Sequence, residues 1–203
     1  MQRFVRERNR QVYLGVSWGK DSVVLAHLGA DLGVPFIWVR VEPMYSPECL
    51  LVRDAFLLMH PGVRYEEIVV RCTRDKAGEW IGTGRLEQGF KQAVLMFGEH
   101  YISGVRGEES GDRKRRMLRS GTDTKRTCAP IGYWTGDDIF AAMHKHDLPI
   151  HPAYAMTIGG SLDRRRIRVA TLGGERGTGW GRAEWERRYY GAEMRALRRL
   201  PGS

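Results

Sequence analysis

The sequence predicts an α/β fold, a doubly wound and mostly parallel five-stranded sheet with helices on both faces. Short apolar runs rich in β-branched and aromatic residues alternate with amphipathic segments of helical length. Such alternation is typical of parallel sheets whose strands are connected through helices. With 203 residues, the chain is long enough for one well-buried domain and too short for two of ordinary size.

The elements of the first half follow from the local pattern. Consecutive β-branched and aromatic residues predict strands, and apolar residues at helical spacing predict helices that end at Gly or Pro. In chain order the pattern predicts a strand over 11–16, a helix over 22–32, a strand over 36–41, a helix over 47–60 and a strand over 65–70.

The second half continues the alternation. Thr135 is the predicted N-cap of a helix, because Asp137 and Asp138 stand in a first turn that favours carboxylates, and Asp147 with Pro149 ends that helix. The remaining predicted elements are a helix over 85–97, a strand over 100–105 and a helix over 183–200. We expect residues 1–157 to form the α/β domain and 158–203, a basic Gly-rich loop and C-terminal helix, to extend it without forming a second domain.

A glycine-containing polar turn joins the first strand to the first long helix. Its sequence is Ser17-Trp18-Gly19-Lys20-Asp21-Ser22. The unpaired N–H groups and partial positive charge of a helix N-terminus favour an anion there, and Lys20 adds a full charge. An ordinary capped turn, with Asp21 or Ser17 as N-cap, is the alternative. The spacing is not that of a Walker A loop.

A second polar segment follows the predicted strand over 100–105. In open α/β sheets, ligands bind beyond the carboxyl ends of strands near the point where strand order reverses. Arg106 and Arg113 are therefore candidates for binding phosphate or sulfate, since guanidinium groups suit such oxyanions. The alternative is a solvated, ion-paired basic loop, which we favour for residues 114–116.

Three segments together resemble the PP-loop superfamily, which comprises the N-type ATP pyrophosphatases and the PAPS reductases. Residues 17–22 resemble the signature Ser-Gly-Gly-x-Asp-Ser, although Trp18 replaces the second residue, as in the PAPS reductase branch, while Lys20-Asp21 is similar to the ATP-cleaving branch. Arg106, Ser110 and Arg113 resemble the pattern Arg-x-x-x-Ser-x-x-Arg. The run from Ala129 to Tyr154 resembles Pro-Ile-x-x-Trp-Thr-x-x-Asp-Ile/Val followed by Leu/Ile-Pro-x-x-Pro-x-Tyr. Most of this run is expected to be architectural.

The resemblance implies an adenine nucleotide alpha hydrolase-like (HUP-like) fold that binds ATP with Mg²⁺. It implies that Asp21 positions the metal, and that Glu42 lies beside the ribose or adenine, unless it is simply an exposed acid at a strand end. Residues expected to contact the nucleotide are Ser17, Trp18, Gly19, Lys20, Asp21, Ser22, Glu42, Gly104, Arg106 and Ser110. Residues expected to act in catalysis are Lys20, Asp21, Arg106 and Arg113.

The cysteines narrow the chemistry that the resemblance suggests. Cys49, Cys72 and Cys128 are scattered, without Cys-x-x-Cys spacing, which argues against a disulfide framework, a zinc site and an iron–sulfur cluster. PAPS reductases attack sulfur with a cysteine near the C-terminus, and no cysteine follows Cys128. We therefore expect ATP cleavage that adenylates an acceptor. The alternatives are a nucleotide- or sulfonucleotide-binding subunit acting with a partner, and a reductase that takes its thiol from elsewhere.

The net charge and the terminal segments of the chain indicate which partners to expect. A formal net charge of +9 and a pI near 9.8 favour nucleic acid or small phosphorylated ligands such as ATP or adenosine phosphosulfate, although general arginine richness has the same effect. Without a membrane-spanning run or a signal-peptide core, we expect a cytoplasmic protein with no membrane partner. The helix over 183–200 could form a homodimer contact. The Gly-rich segment 172–181, with Arg164, Arg168 and Arg176, is either a lid on the nucleotide or plain surface.

Overall fold

A computed structural model describes residues 1–42, 45–71, 82–155, 163–167, 169, 182–192 and 195. Cys72, Arg168, Arg176, the Gly-rich segment 172–181 and the end of the predicted C-terminal helix lie outside these residues.

Five strands form one sheet in which every neighbouring pair is parallel. The spatial order is β3-β2-β1-β4-β5, so the first strand lies at the centre. The predicted fold class is confirmed. The strands are β1 (Val12–Gly15), β2 (Phe36–Glu42), β3 (Tyr65–Arg71), β4 (His100–Ile102) and β5 (Thr127–Cys128).

Helices cover both faces of the sheet. Alternate strand residues point to opposite faces, so Leu14 and Trp38 belong to the larger core cluster while Tyr13 and Ile37 belong to a smaller one with Ala93. None of the helices in the described ranges is long and apolar enough to cross a bilayer. The helices are α1 (Gln2–Arg6), α2 (Lys20–Gly29), α3 (Glu48–Met59), α4 (Gly82–Phe97), α5 (Gly111–Ser120), α6 (Gly136–Lys145) and α7 (Arg182–Tyr189).

The predicted start of α6 is confirmed. The Thr135 hydroxyl accepts a hydrogen bond from the Asp138 N–H at 3.1 Å, and the Asp138 carboxylate accepts one from the Thr135 N–H at 2.7 Å. This reciprocal capping box satisfies two N–H groups that a helix otherwise leaves unpaired. These hydrogen bonds from Thr135 also lower the pKa of Asp138.

Helix α5 corrects the expectation of a solvated basic loop over 114–116. Ser110 caps it by accepting from the Arg113 N–H at 3.2 Å, and Arg113 forms an ion pair with Glu109 four residues earlier. Met117 is the only buried residue of α5. Because the segment carries almost no apolar periodicity, its sequence reads as a loop even though caps and ion pairs support a helix.

Three described residues beyond position 157 pack into the same core as the sheet. Ile167, Val169 and Tyr190 are buried and belong to the cluster that also contains Leu14. The backbone N–H of Ser46 donates to the Val169 carbonyl at 3.2 Å. Arg165 lies against Gly136 at the start of α6, and Val169 lies against Ser46, just before α3.

Candidate functional site

The two polar segments singled out in the sequence meet at the centre of the carboxyl edge. Strands β1 and β4 are neighbours, and the chain proceeds from β1 to one side of the sheet and from β4 to the other. A Cβ on Gly104 would lie 3.2 Å from the backbone oxygen of Asp21. A residue without a side chain thus lets the end of β4 approach the first turn of α2. This is the topological switch point where open α/β sheets bind ligands.

The loop after β1 is held in shape by Ser22. The Ser22 hydroxyl accepts hydrogen bonds from the N–H groups of Ser17 at 2.7 Å and Trp18 at 3.1 Å. Gly19 is the N-cap of α2, with an extended backbone. The loop therefore wraps around Ser22 and delivers the amino end of α2, with its partial positive charge, to the edge of the sheet.

The Trp18 side chain lies in the core, so the nucleotide contact expected at this position falls to its backbone. Its ring packs 5.5 Å from the rings of both Phe56 and Tyr65, and its indole N–H donates to the Tyr65 hydroxyl at 3.3 Å. Trp18 also has a φ of 60°, a left-handed conformation that suits glycine best. Only the backbone of Trp18 contributes to the loop.

Lys20, Asp21 and Arg106 form a buried chain of charges beneath the loop. The side chains of Lys20 and Arg106 are 3% and 1% exposed. The Lys20 ammonium lies 2.9 Å from one carboxylate oxygen of Asp21, and Arg106 Nε donates to the other at 2.5 Å. Burial by itself would lower the pKa of Arg106, but Asp21 and Glu108 outweigh that effect and raise the pKa. Arg106 is therefore a fixed cation that holds Asp21.

Two glutamates of the second segment pair with the arginines that follow β4. Glu108 accepts from Arg106 Nη1 and from the Gly136 N–H, each at 2.6 Å, which joins the network to the amino end of α6. Glu109 accepts from Arg113 at 2.5 Å. The formal charges of the six ionic side chains in this network cancel: Lys20, Arg106 and Arg113 against Asp21, Glu108 and Glu109. An anion at Arg113 would compete with Glu109 for the guanidinium group.

Tyr154 and Val169, which sequence reasoning did not assign to the site, lie against the other side of the Ser17–Ser22 loop. The Lys20 N–H donates to the Tyr154 hydroxyl at 2.9 Å. A Cβ on Gly19 would lie 3.2 Å from that hydroxyl and 3.4 Å from a Val169 methyl group. Tyr154 belongs to a segment read as architectural, and only its place in the resembling motif could have drawn attention to it.

Glu42 and Ser110 lie at the same edge in separate roles. Glu42 is the last residue of β2, and its carboxylate accepts from Arg40 at 2.5 Å. Arg40 also contacts Glu67 at 2.6 Å. Glu42 is thus part of an ion-pair network that links the end of β2 to Glu67 near the start of β3, whereas Ser110 serves as the cap of α5.

The donor set at Asp21 does not fit a resident magnesium ion. Both carboxylate oxygens are engaged, one by Lys20 and one by Arg106. Mg²⁺ requires nearly ideal octahedral oxygen coordination, and two cations in contact with a single carboxylate oppose it. In the described part of the chain, no group of three His, Cys, Asp or Glu side chains is placed to hold a metal.

The two cysteines in the described ranges are buried thiols. Burial raises the pKa of both Cys49 and Cys128 to about 12. A thiol acts as a nucleophile only as the thiolate, so neither residue is activated at neutral pH.

Comparison with known proteins supports the fold. No protein-family model and no curated protein sequence matches the chain. Among solved structures, the chain resembles phosphoadenylyl-sulfate (PAPS) reductase from Candida auris in its phosphate complex, with 11% identity and a TM-score of 0.51 over 74% of this chain and 81% of that one. NMN synthetase from Francisella tularensis is 14% identical, with a TM-score of 0.42 over 68% of this chain and 62% of that one. The likeness to the first of these structures shows that the chain shares its α/β fold.

Proposed function

We propose that the protein binds ATP at Ser17–Ser22 and cleaves it between the α- and β-phosphates. An acyl, amide or carbonyl oxygen of an acceptor attacks the α-phosphorus, the bond to the bridging oxygen breaks, and pyrophosphate leaves. The observation that carries this proposal is the convergence, at the switch point, of the α2 amino end with the buried Lys20 charge. Both features stabilise the negative charge that develops on a leaving pyrophosphate.

The side chains divide the work of binding and charge stabilisation. Ser17, Gly19 and Ser22 form the turn that holds the β- and γ-phosphates, and Lys20 neutralises the departing charge. Asp21, fixed by Arg106, keeps the Lys20 ammonium beside the loop. Positioning and electrostatics supply most of the catalysis in such phosphoryl chemistry. Magnesium enters with ATP as part of the substrate, bound to phosphate oxygens and water.

Arg113 is the arginine able to reach the α-phosphate or the acceptor. It is partly exposed and pairs with Glu109, whereas Arg106 is buried against Asp21. A phosphate that displaces Glu109 gains a guanidinium partner of suitable geometry. Glu42, at the end of the neighbouring strand β2, remains the residue proposed to lie beside the ribose or adenine.

Pyrophosphate release tests the proposal. Purified protein is incubated with ATP, Mg²⁺ and a panel of carboxylate, amide and carbonyl acceptors. Lys20→Ala and Asp21→Asn should each reduce the rate by about a hundredfold, the usual scale for losing one preorganised charge partner. Lys91→Ala is the matched control, because Lys91 lies on α4 in an exposed pair with Glu87. Unchanged rates in both site variants would refute the assignment.

A second candidate is a nucleotide- or sulfonucleotide-binding subunit without turnover. The pairing of all six ionic groups with one another favours this second candidate, because such a network can stabilise the fold without any of its groups taking part in catalysis. Calorimetry with ATP, adenosine phosphosulfate and its 3′-phosphorylated form, alongside the turnover assay, separates the two. Tight binding without pyrophosphate release supports the subunit. Sulfite formation with thioredoxin would support a reductase that uses an external thiol.

A further inference from the structure

Tyr154 has no role in the activity described above, yet it lies against the amino end of α2. Its side chain is 3% exposed. Its ring makes edge contacts with Phe140 at 5.7 Å and His151 at 6.2 Å, and the Lys20 ammonium lies 5.5 Å from the ring centroid. These contacts fix the ring, so the position of the hydroxyl is set by packing.

The Tyr154 hydroxyl is only half satisfied. Its oxygen accepts from the Lys20 N–H at 2.9 Å, and no acceptor for its own proton is found in the described part of the chain. Burial raises the pKa of Tyr154, so the hydroxyl keeps that proton at neutral pH. A phenol both accepts and donates, and buried donors are nearly always paired. The unused donor at the start of α2 points to an acceptor supplied by a ligand.

The turn that carries Tyr154 is fixed from the opposite side. His151 Nδ1 accepts from the Ala153 N–H at 3.0 Å, which leaves the proton of the neutral ring on Nε2. Nε2 then donates to the Ser46 hydroxyl at the start of α3. His151 thus ties the turn to Ser46, and the Tyr154 hydroxyl is in place before any ligand arrives.

We propose that Tyr154 is a ligand-contacting residue whose hydroxyl donates to a phosphate oxygen of the nucleotide while accepting from the Lys20 N–H. The inference rests on the proposed function, because it requires phosphate at Ser17–Ser22. It also specifies which part of the ligand Tyr154 recognises. The contact involves phosphoryl oxygens and not the base. It therefore strengthens the binding of ATP and of pyrophosphate and leaves the binding of adenosine unchanged.

Tyr154→Phe tests the contact, because it keeps the ring and removes only the hydroxyl. Affinities for ATP, pyrophosphate and adenosine are measured by calorimetry. A hydrogen bond to a charged acceptor is worth roughly a ten- to hundredfold change in Kd, so ATP and pyrophosphate should weaken by that factor while adenosine is unchanged. Tyr133→Phe is the control, since its hydroxyl donates at 3.1 Å to the Met117 carbonyl on α5.

The possible outcomes separate this inference from the proposed function. Wild-type protein that binds neither ATP nor pyrophosphate refutes the proposed function. If the wild type binds ATP and pyrophosphate and the Tyr154→Phe variant binds them equally well or more tightly, only the role of Tyr154 is overturned. An equal loss of affinity for adenosine overturns that role too. If Tyr154→Phe does not fold, 3-fluorotyrosine at position 154 replaces it. Its more acidic hydroxyl should increase the affinity for ATP and pyrophosphate but not for adenosine. Unchanged affinity for ATP and pyrophosphate overturns the inference.

Discussion

Individual residues at the switch point occupy states that their types normally avoid. Lys20 and Arg106 are buried, and Trp18 adopts a left-handed backbone. Residue type predicted that the segment was polar and suited to phosphate. It could not predict burial of the charges, since lysine and arginine are seldom buried unless paired and the partners come from distant parts of the chain. Arg106 reaches Asp21 across 85 positions.

Trp18→Gly should destabilise the protein even though glycine suits the backbone. Glycine adopts the left-handed conformation without strain, which by itself would raise the free energy of unfolding by about 1–2 kcal/mol. Removal of a fully buried indole costs about 3–5 kcal/mol. We therefore expect a lower free energy of unfolding, measured by urea denaturation, with Trp18→Phe showing a smaller loss. A glycine variant more stable than wild type would mean that backbone strain dominates at this position.

His151 should make stability depend on pH. Burial lowers its pKa from 6.5 to about 4. Between these values the unfolded chain binds the proton and the folded protein does not, so the free energy of unfolding falls as pH decreases from 6.5 to 4. The full effect is about 3 kcal/mol, at 1.36 kcal/mol per pKa unit. Below pH 4 this residue adds no further slope.

Urea denaturation across pH 4 to 7 measures this slope. The His151→Gln variant should lose most of it, while His144→Gln, a change at an exposed position of α6, should retain it. His27, whose pKa is lowered mainly by burial, titrates in the same direction in both variants and so cancels from the comparison. Equal slopes in wild type and His151→Gln would contradict the assignment.

At the scale of elements, the sequence predicted those whose apolar residues face a core. Strand β2 and helices α2, α3 and α6 lie close to their predicted places because burial on the sheet imposes a period. Helix α1 was not predicted, and neither was α5, which carries charge on nearly every position. Strand β4 ends at Ile102, before the predicted residue 105, because its carboxyl end turns at once toward α2.

Ser110→Ala should loosen α5 at its amino end. The Ser110 hydroxyl accepts from the Arg113 N–H, and replacing such a cap with alanine costs about 1 kcal/mol. Since only Met117 anchors the helix, we expect faster amide hydrogen exchange through its first two turns. Ser120→Ala, the same change at the other end of α5, is the control and should leave exchange unchanged. Equal protection in all three proteins would show that the cap contributes nothing.

At the scale of the molecule, three described residues beyond position 157 share one core with the sheet. Ile167, Val169 and Tyr190 are buried, and Val169 contacts the position of Gly19. A chain ended after residue 157 should therefore unfold at lower urea concentration and bind an apolar dye where these residues packed. Truncation after residue 195 is the control. An unchanged midpoint for the shorter chain would show that residues 158–203 do not stabilise the domain.

The bond from Lys20 to the Tyr154 hydroxyl, across 134 positions, has a consequence for synthesis. The loop at Ser17–Ser22 is synthesised long before Tyr154. Contacts between such distant residues form slowly, because a long loop must close before they gain anything. A nascent chain therefore exposes an incomplete Ser17–Ser22 turn until Tyr154 has been synthesised and has docked against it. Ligands present during synthesis can favour that last step by binding only the finished form.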